Sequence, residues 1–256
     1  MKKYIAPFLF LVLMIAISGC SGKGSAKKNS AAESDTVSVP DTGYTGIKQY
    51  FSKDHLLKEV TFNNGVRDGL MKTYYQSGQL YQTFWYENGL REDSAVWYYL
   101  EGQVFRTTPY KRDTVEGIQK QFYRTGKLRA RIGYSKGLRT PFLEEYDLHE
   151  KVIGAYPDII TEIRDEYNSK GSFRINLSMS DKTTRVKFYR GEFTDGRFDT
   201  TLLRKLDVVN GTSSINLKKT GTTRQNFAGV IAEIITQFGN RHLIYKKIDL
   251  PYNDLN

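Results

Sequence analysis

Apolar and polar positions along the middle of this chain return at a fixed step of 24 residues. Aromatic pairs fall at Tyr50-Phe51, Tyr74-Tyr75, Tyr98-Tyr99 and Phe122-Tyr123, with Tyr146 in the next slot. The same step carries Leu56 to Leu80, Val104 and Leu128, and Gly65 to Gly89 and Gly137, with Asp113 as the one substitution. A period of this size predicts a supersecondary unit that cannot bury its apolar face alone and must stack on its neighbours. Within one unit, residues 69–75 and 80–86 are rich in aromatic and β-branched residues, as strands are. Gln76-Ser77-Gly78-Gln79 and Glu87-Asn88-Gly89-Leu90 interrupt them, and Asn63-Asn64-Gly65 and Asn88-Gly89 are tight-hairpin sequences. The pattern predicts strand, turn, strand, turn, with successive hairpins paired edge to edge in one antiparallel sheet.

After Pro157 the step is lost and a second β pattern begins. Phe173, Ile175, Leu177 and Met179 alternate with Arg174, Asn176, Ser178 and Ser180, the mark of a half-buried strand. Further strands are expected over Thr184–Phe193, Leu202–Val209, Thr212–Lys218, Val230–Phe238 and His242–Ile248, with two-residue turns at Asn210-Gly211 and Gly239-Asn240. Asp158–Asn168, apolar at 159, 160 and 163, reads as a short joining helix. Short strands at even spacing resemble the immunoglobulin or fibronectin type III sandwich. The fold class expected is therefore all-β: an elongated antiparallel hairpin-repeat sheet over 44–156, then a small β-sandwich over 157–256.

The N-terminus carries an address. Lys2 and Lys3 precede an apolar run from Ile5 to Ile17, too short to span a bilayer and suited to the core of a signal peptide. Ile17-Ser18-Gly19-Cys20 resembles the bacterial lipobox, which implies a signal peptide over 1–19 and diacylation of Cys20. Cys20 is the sole cysteine, so a disulfide is excluded. Residues 20–43 are rich in Ser, Lys, Ala and Thr and read as a flexible tether. Ser21 after the lipidated Cys implies sorting to the outer membrane, and the lack of an acidic stretch there favours the periplasmic face.

The repeat residues themselves carry a resemblance. Asn64-Gly65, Gly69, Tyr74-Tyr75, Gly78 and Leu80, then Gly117, Phe122-Tyr123, Gly126 and Leu128, resemble the MORN-type repeat in its bacterial variant. The unit between them departs, with Asp93 for Gly, Pro109 in its second strand and Asp113 for the turn Gly. Pro removes a ladder donor, so that hairpin is expected to be shortened or bulged. The family implies a scaffold or interaction module rather than an enzyme.

Of the formal charge of +10, Lys2 and Lys3 carry two; the remaining +8 splits evenly, with 17 Lys/Arg against 13 Asp/Glu in 44–156 and 16 against 12 in 157–256, and forms no basic stripe. Export argues against nucleic acid as partner. Aromatics make up 21 of the 113 residues in 44–156, enough for cross-strand ladders. Because side chains alternate along a strand, one ring of each pair is expected to be exposed. The candidate binding aromatics are Tyr74, Tyr75, Trp85, Trp97, Tyr98 and Tyr99. No P-loop, Gly-x-Ser-x-Gly or His-Glu-x-x-His is present, and His55, His149 and His242 lie in separate regions. No catalytic residue, metal site or cofactor is assigned. Thr36, Ser94, Thr114 and Thr200 follow Asp in Asp-Ser/Thr-x triplets and are candidate O-glycosylation sites. The reading is a lipid-anchored envelope protein serving as a non-catalytic scaffold for another envelope protein. The alternatives are a receptor for glycan or lipid head groups and, third, an envelope hydrolase.

Overall fold

A computed structural model describes residues 43–222 and 226–256. Cys20 and Thr36 lie outside the described residues, as do the expected signal peptide and nearly all of the expected tether.

The repeat region forms β1 (Gly46–Ser52), β2 (His55–Asn63), β3 (Val66–Tyr74), β4 (Leu80–Glu87), β5 (Leu90–Tyr98), β6 (Val104–Lys111), β7 (Thr114–Val115), β8 (Gly117–Phe122), β9 (Leu128–Ser135), β10 (Leu138–Tyr146) and β11 (Val152–Ile153). They make one 11-stranded sheet in chain order, with β7 pairing β6 off the main path. Two turns alternate. At Asn64-Gly65 and Asn88-Gly89 both residues have positive φ, near 49° and 79° and near 49° and 85°, the backbone of a type I′ hairpin. At the other end Tyr75 N–H donates to Gln79 C=O and Gly78 N–H to Tyr75 C=O, and the same pair of bonds returns at Tyr99, Tyr123 and Asp147.

The deviant unit keeps this geometry at a cost in strain. Arg112 and Asp113 occupy the Asn-Gly slot at φ 47° and 64°. The Asp113 carboxylate accepts from both the backbone N–H and the Nε of Arg91, which holds the left-handed turn without a glycine. Around Pro109 the expected shortening is found: pairing from β6 is divided between the two-residue β7 and a two-residue contact with β8. The first unit departs differently. Lys53-Asp54 stands where later units have Ser77-Gly78, and Ser52 pairs with His55 around a two-residue turn. Phe51 is left 57% exposed, so it shares the aromatic spacing without sharing its role.

Residues 157–256 form β12 (Ile159–Glu166), α1 (Tyr167–Lys170), β13 (Ser172–Met179), β14 (Val186–Arg190), β15 (Arg204–Lys205), β16 (Ser213–Lys218), β17 (Phe227–Ile235) and β18 (Arg241–Asp249). One sheet has the order β12-β13-β16 and the other β15-β14-β17-β18. Phe173, Ile175, Leu177 and Met179 face Phe188, Val230 and Ala232 in a shared core, so the two sheets are a sandwich. β17 is buried along nearly its whole length because Phe193, Phe198 and Leu203 cover its outer side. Three sequence expectations are corrected. The supposed helix over Asp158–Asn168 is β12 followed by a single helical turn, since Ile159 alternates into the core and pairs with Met179. Leu202–Val209 is not one strand: Arg204-Lys205 pairs with β14 in one sheet, and the chain then crosses to feed β16 in the other. Gly239-Asn240 is not a two-residue turn; Thr236 N–H donates to Asn240 C=O and Gly239 N–H to Thr236 C=O, the bond pair seen at Tyr75.

Every member of the larger core comes from residues 159–255. A fragment spanning residues 157–256 is therefore expected to fold alone, giving a dispersed amide NMR spectrum. A collapsed spectrum would mean that the repeat sheet completes the core.

Candidate interaction surface

Pairing register sorts the repeat residues into two faces, since directly opposed residues lie on the same side of a sheet. One row runs across the whole sheet: Tyr50, Lys58, Thr73, Gln82, Trp97, Arg106, Gln121, Ala130, Glu145 and Ile153. The neighbouring row on this face holds the buried Val60, Ala95, Thr108, Gln119 and Ile132. We call it the inner face. The opposite, outer face carries Glu59, Lys72, Thr83, Val96, Thr107, Lys120, Arg131 and Glu144 in one row.

A third inner row alternates aromatic and arginine, with Val115 in one arginine position. Phe62 opposes Arg67, Tyr86 opposes Arg91, Tyr110 opposes Val115 and Tyr134 opposes Arg139. The Arg67 guanidinium lies 5.5 Å from the Tyr86 ring centre, Arg91 4.5 Å from Tyr110 and Arg139 5.4 Å from Tyr134, within cation–π range. Sequence reasoning missed this ladder, although Phe62, Tyr86, Tyr110 and Tyr134 keep the same 24-residue step. The acidic side chain of the long inner row is Glu145; Lys58 and Arg106 are its cations.

The aromatic pairs do not divide into one buried and one exposed ring. Tyr74, Tyr75, Tyr98 and Tyr99 are all half-buried. The physical reason lies in the turn. Tyr75 donates its hydroxyl to Tyr98 C=O at 2.7 Å, Tyr99 to Phe122 C=O at 2.8 Å and Tyr123 to Tyr146 C=O at 2.7 Å. Each second ring thus reaches over the edge and ties one unit to the next. Tyr74 instead donates to the Glu59 carboxylate at 2.5 Å; burial and that bond push its pKa up to about 12. Trp97 is also corrected: it is buried at 9% exposure, because Arg106 lies over its indole at 3.9 Å and Phe84 meets its edge at 5.5 Å. Trp85, on the outer face opposite Leu70, is exposed at 42%. Ser94, Thr114 and Thr200 are exposed.

The sandwich meets the inner face through its 236–240 turn. Tyr75 packs edge-on against Tyr81 at 4.9 Å and Tyr99 against Phe105 at 5.2 Å. In the next unit the equivalent residue is Arg129, and Phe238 from the sandwich takes the ring position beside Tyr123 at 6.5 Å. Arg129 donates to Phe238 C=O at 2.6 Å and Arg139 to Arg241 C=O at 2.7 Å. Below them Glu145 is fully buried. Its carboxylate accepts from Tyr156 Oη at 3.0 Å, Thr236 Oγ1 at 2.7 Å and Asn240 Nδ2 at 2.7 Å, and Asn240 Oδ1 accepts from Gln121. His242 packs at a tilt against Tyr156, ring centres 4.2 Å apart; burial holds its pKa below the ordinary histidine value against the pull of Glu145. A cavity of about 250 Å³ opens beside this cluster, bounded by Ile153, Tyr156, Pro157, Thr183 and Ile235. Among the described residues no group of three His, Cys, Asp or Glu side chains could hold a metal ion.

Comparison with known families bears on the sheet. Residues 67–88 and 115–136 match the MORN repeat variant. No curated protein matches the chain. The stretch between the two matches contains Asp93, Pro109 and Asp113, the unit whose turn is held by Arg91 in place of glycine. The sheet therefore carries MORN-type repeat units in two places, joined by a unit that keeps the hairpin geometry in altered sequence.

Proposed function

We propose that this protein is a lipid-anchored envelope lipoprotein that acts as a non-catalytic scaffold or protein-interaction module, with the inner face of the repeat sheet as its contact surface. The observation that carries the reading is the inner face itself, where arginines and aromatic rings alternate across successive units. Aromatic and arginine side chains dominate the energetics of protein contacts. MORN-type repeats act as interaction modules, which agrees with a role in binding rather than catalysis. The anchor would be diacylated Cys20, with the outer membrane facing the periplasm as the proposed location and residues 157–256 as an immunoglobulin-like sandwich.

The anchor has a direct test. Cys20→Ser is expected to move the protein from the membrane pellet to the soluble fraction after a salt wash, because several acyl chains make a lasting anchor and none remains in the variant. Pelleting equal to the wild type would refute the lipoprotein reading. Crosslinking in cells, followed by mass spectrometry, should then recover an envelope protein joined through inner-face residues; crosslinks confined to the sandwich would count against that surface.

A further inference from the structure

Arg106 sits in β6 directly between Trp97 of β5 and Gln121 of β8. Its guanidinium carbon lies over the Trp97 ring, 3.9 Å from the ring centre. Its Nε is buried and has no acceptor. Nearby, Arg91 pairs with Asp113, Arg131 pairs with Glu144 and Arg129 donates to the Phe238 carbonyl, while Arg139 donates Nη2 to the Arg241 carbonyl and keeps a buried Nε of its own without an acceptor. The one carboxylate in its row, Glu145, is already taken by three donors. Burial lowers the pKa of the half-buried Arg106, and the Tyr110, Tyr134 and Tyr81 hydroxyls oppose that shift. A buried polar group that lacks a partner is costly unless something else satisfies it.

We propose that Arg106, seated on Trp97, receives one carboxylate from an acidic segment of a protein partner. This rests on the interaction-module reading above. The two Nη groups of Arg106, which are not enclosed as Nε is, offer parallel donors that match a carboxylate. Beside it, Tyr81 is 39% exposed and Phe105 half-buried, a ring surface suited to the apolar stems of neighbouring peptide side chains. A long polyanion would need several accessible, unmatched cations in line, whereas Arg91 and Arg131 are paired with carboxylates and Arg139 is turned toward the sandwich, on the Arg241 carbonyl. The complementarity is therefore to a single acid set in a peptide, with Trp97 holding the guanidinium in place.

The chain has two tryptophans, so Trp85→Phe leaves Trp97 as the sole reporter beneath Arg106. The full-length protein carrying Trp85→Phe would be titrated with acetyl-Gly-Glu-Gly-Glu-Gly-amide, with the matching Gln peptide, and with inorganic phosphate at equal ionic strength. The Glu peptide is expected to change Trp97 emission saturably in the millimolar range. Arg106→Met should weaken it about tenfold, the scale of one charge-assisted pair, and Arg106→Lys should restore part of it. The Gln peptide and phosphate should give no saturation. No response to the Glu peptide overturns the proposal, as does an equal response to the Gln peptide. Phosphate that saturates with the same dependence on Arg106 also overturns it and makes the residue a general anion site. Should Arg106→Met fail to fold by circular dichroism, the Arg106 Nε–H resonance of the parent protein decides: a saturable shift with the Glu peptide alone supports the proposal, and none overturns it. Failure here leaves the module reading standing if crosslinking still captures a partner through other inner-face residues; failure of that capture sinks the module reading instead.

Discussion

Glu145→Ala is expected to uncouple the sandwich from the repeat sheet while leaving each of them folded. The carboxylate is fully buried and three donors converge on it, two from the 236–240 turn and one from Tyr156. Removing it strands all three donors, and hydrogen bonds to a charged group each contribute about 1.5–3 kcal/mol, so a loss of about 3–5 kcal/mol in docking is expected. Neither core contains Glu145. The loss should therefore appear as two separate unfolding transitions where one is expected of the wild type, with faster hydrogen exchange at 236–242 and little change at Phe173–Met179. Glu145→Gln keeps an acceptor for Thr236 and Asn240, while its amide can donate to the Tyr156 hydroxyl, so its cost should stay near 1 kcal/mol. A single transition in Glu145→Ala, at an unchanged midpoint, would show that the Arg129, Arg139 and Phe238 contacts suffice without it.

The distribution of polar partners explains what could and could not be read from the sequence. The hairpin period was legible because each turn is a local device: Asn64-Gly65 and Asn88-Gly89 state their own backbone conformation. The sandwich strand at Phe173–Met179 was legible for the same reason, since alternation is a property of neighbouring residues. The inner-face ladder was present in the same step but unread, because placing Arg67 against Phe62 and Arg91 against Tyr86 needs the pairing register across a bulge. β12 was misread as helix because Ile159, Ile160 and Ile163 fit either period over so short a run, and pairing with β13 decided it. The docking of Phe238 beside Tyr123 joins residues more than a hundred apart. Its one trace in the sequence is negative: Arg129 interrupts the apolar column Leu57, Tyr81 and Phe105, which marks a slot that another part of the chain fills.

The two tyrosines of each repeat pair should differ in what they hold together. Tyr75 and Tyr99 donate their hydroxyls to the backbone of the following unit and pack edge-on against Tyr81 and Phe105. Tyr74 bonds to Glu59 within its own hairpin neighbourhood, and Tyr98 contributes its carbonyl, which any residue would supply. Tyr75→Ala with Tyr99→Ala therefore removes two ties between units. Each half-buried ring is worth less than the roughly 3–5 kcal/mol of a fully packed one, so about 2 kcal/mol apiece is expected, and the two costs should add because units in a repeat array couple to their neighbours. Tyr74→Ala with Tyr98→Ala should cost about half as much, since the next unit keeps its backbone acceptor. Phe at 75 and 99 keeps the rings and deletes the two hydroxyl bonds, isolating about 1 kcal/mol each. Urea unfolding followed by circular dichroism reads all three variants. Equal loss from the two Ala pairs would show that the hydroxyl ties carry no special share of the coupling, and the repeat sheet would then owe its length to the strand ladders and the inner-face packing alone.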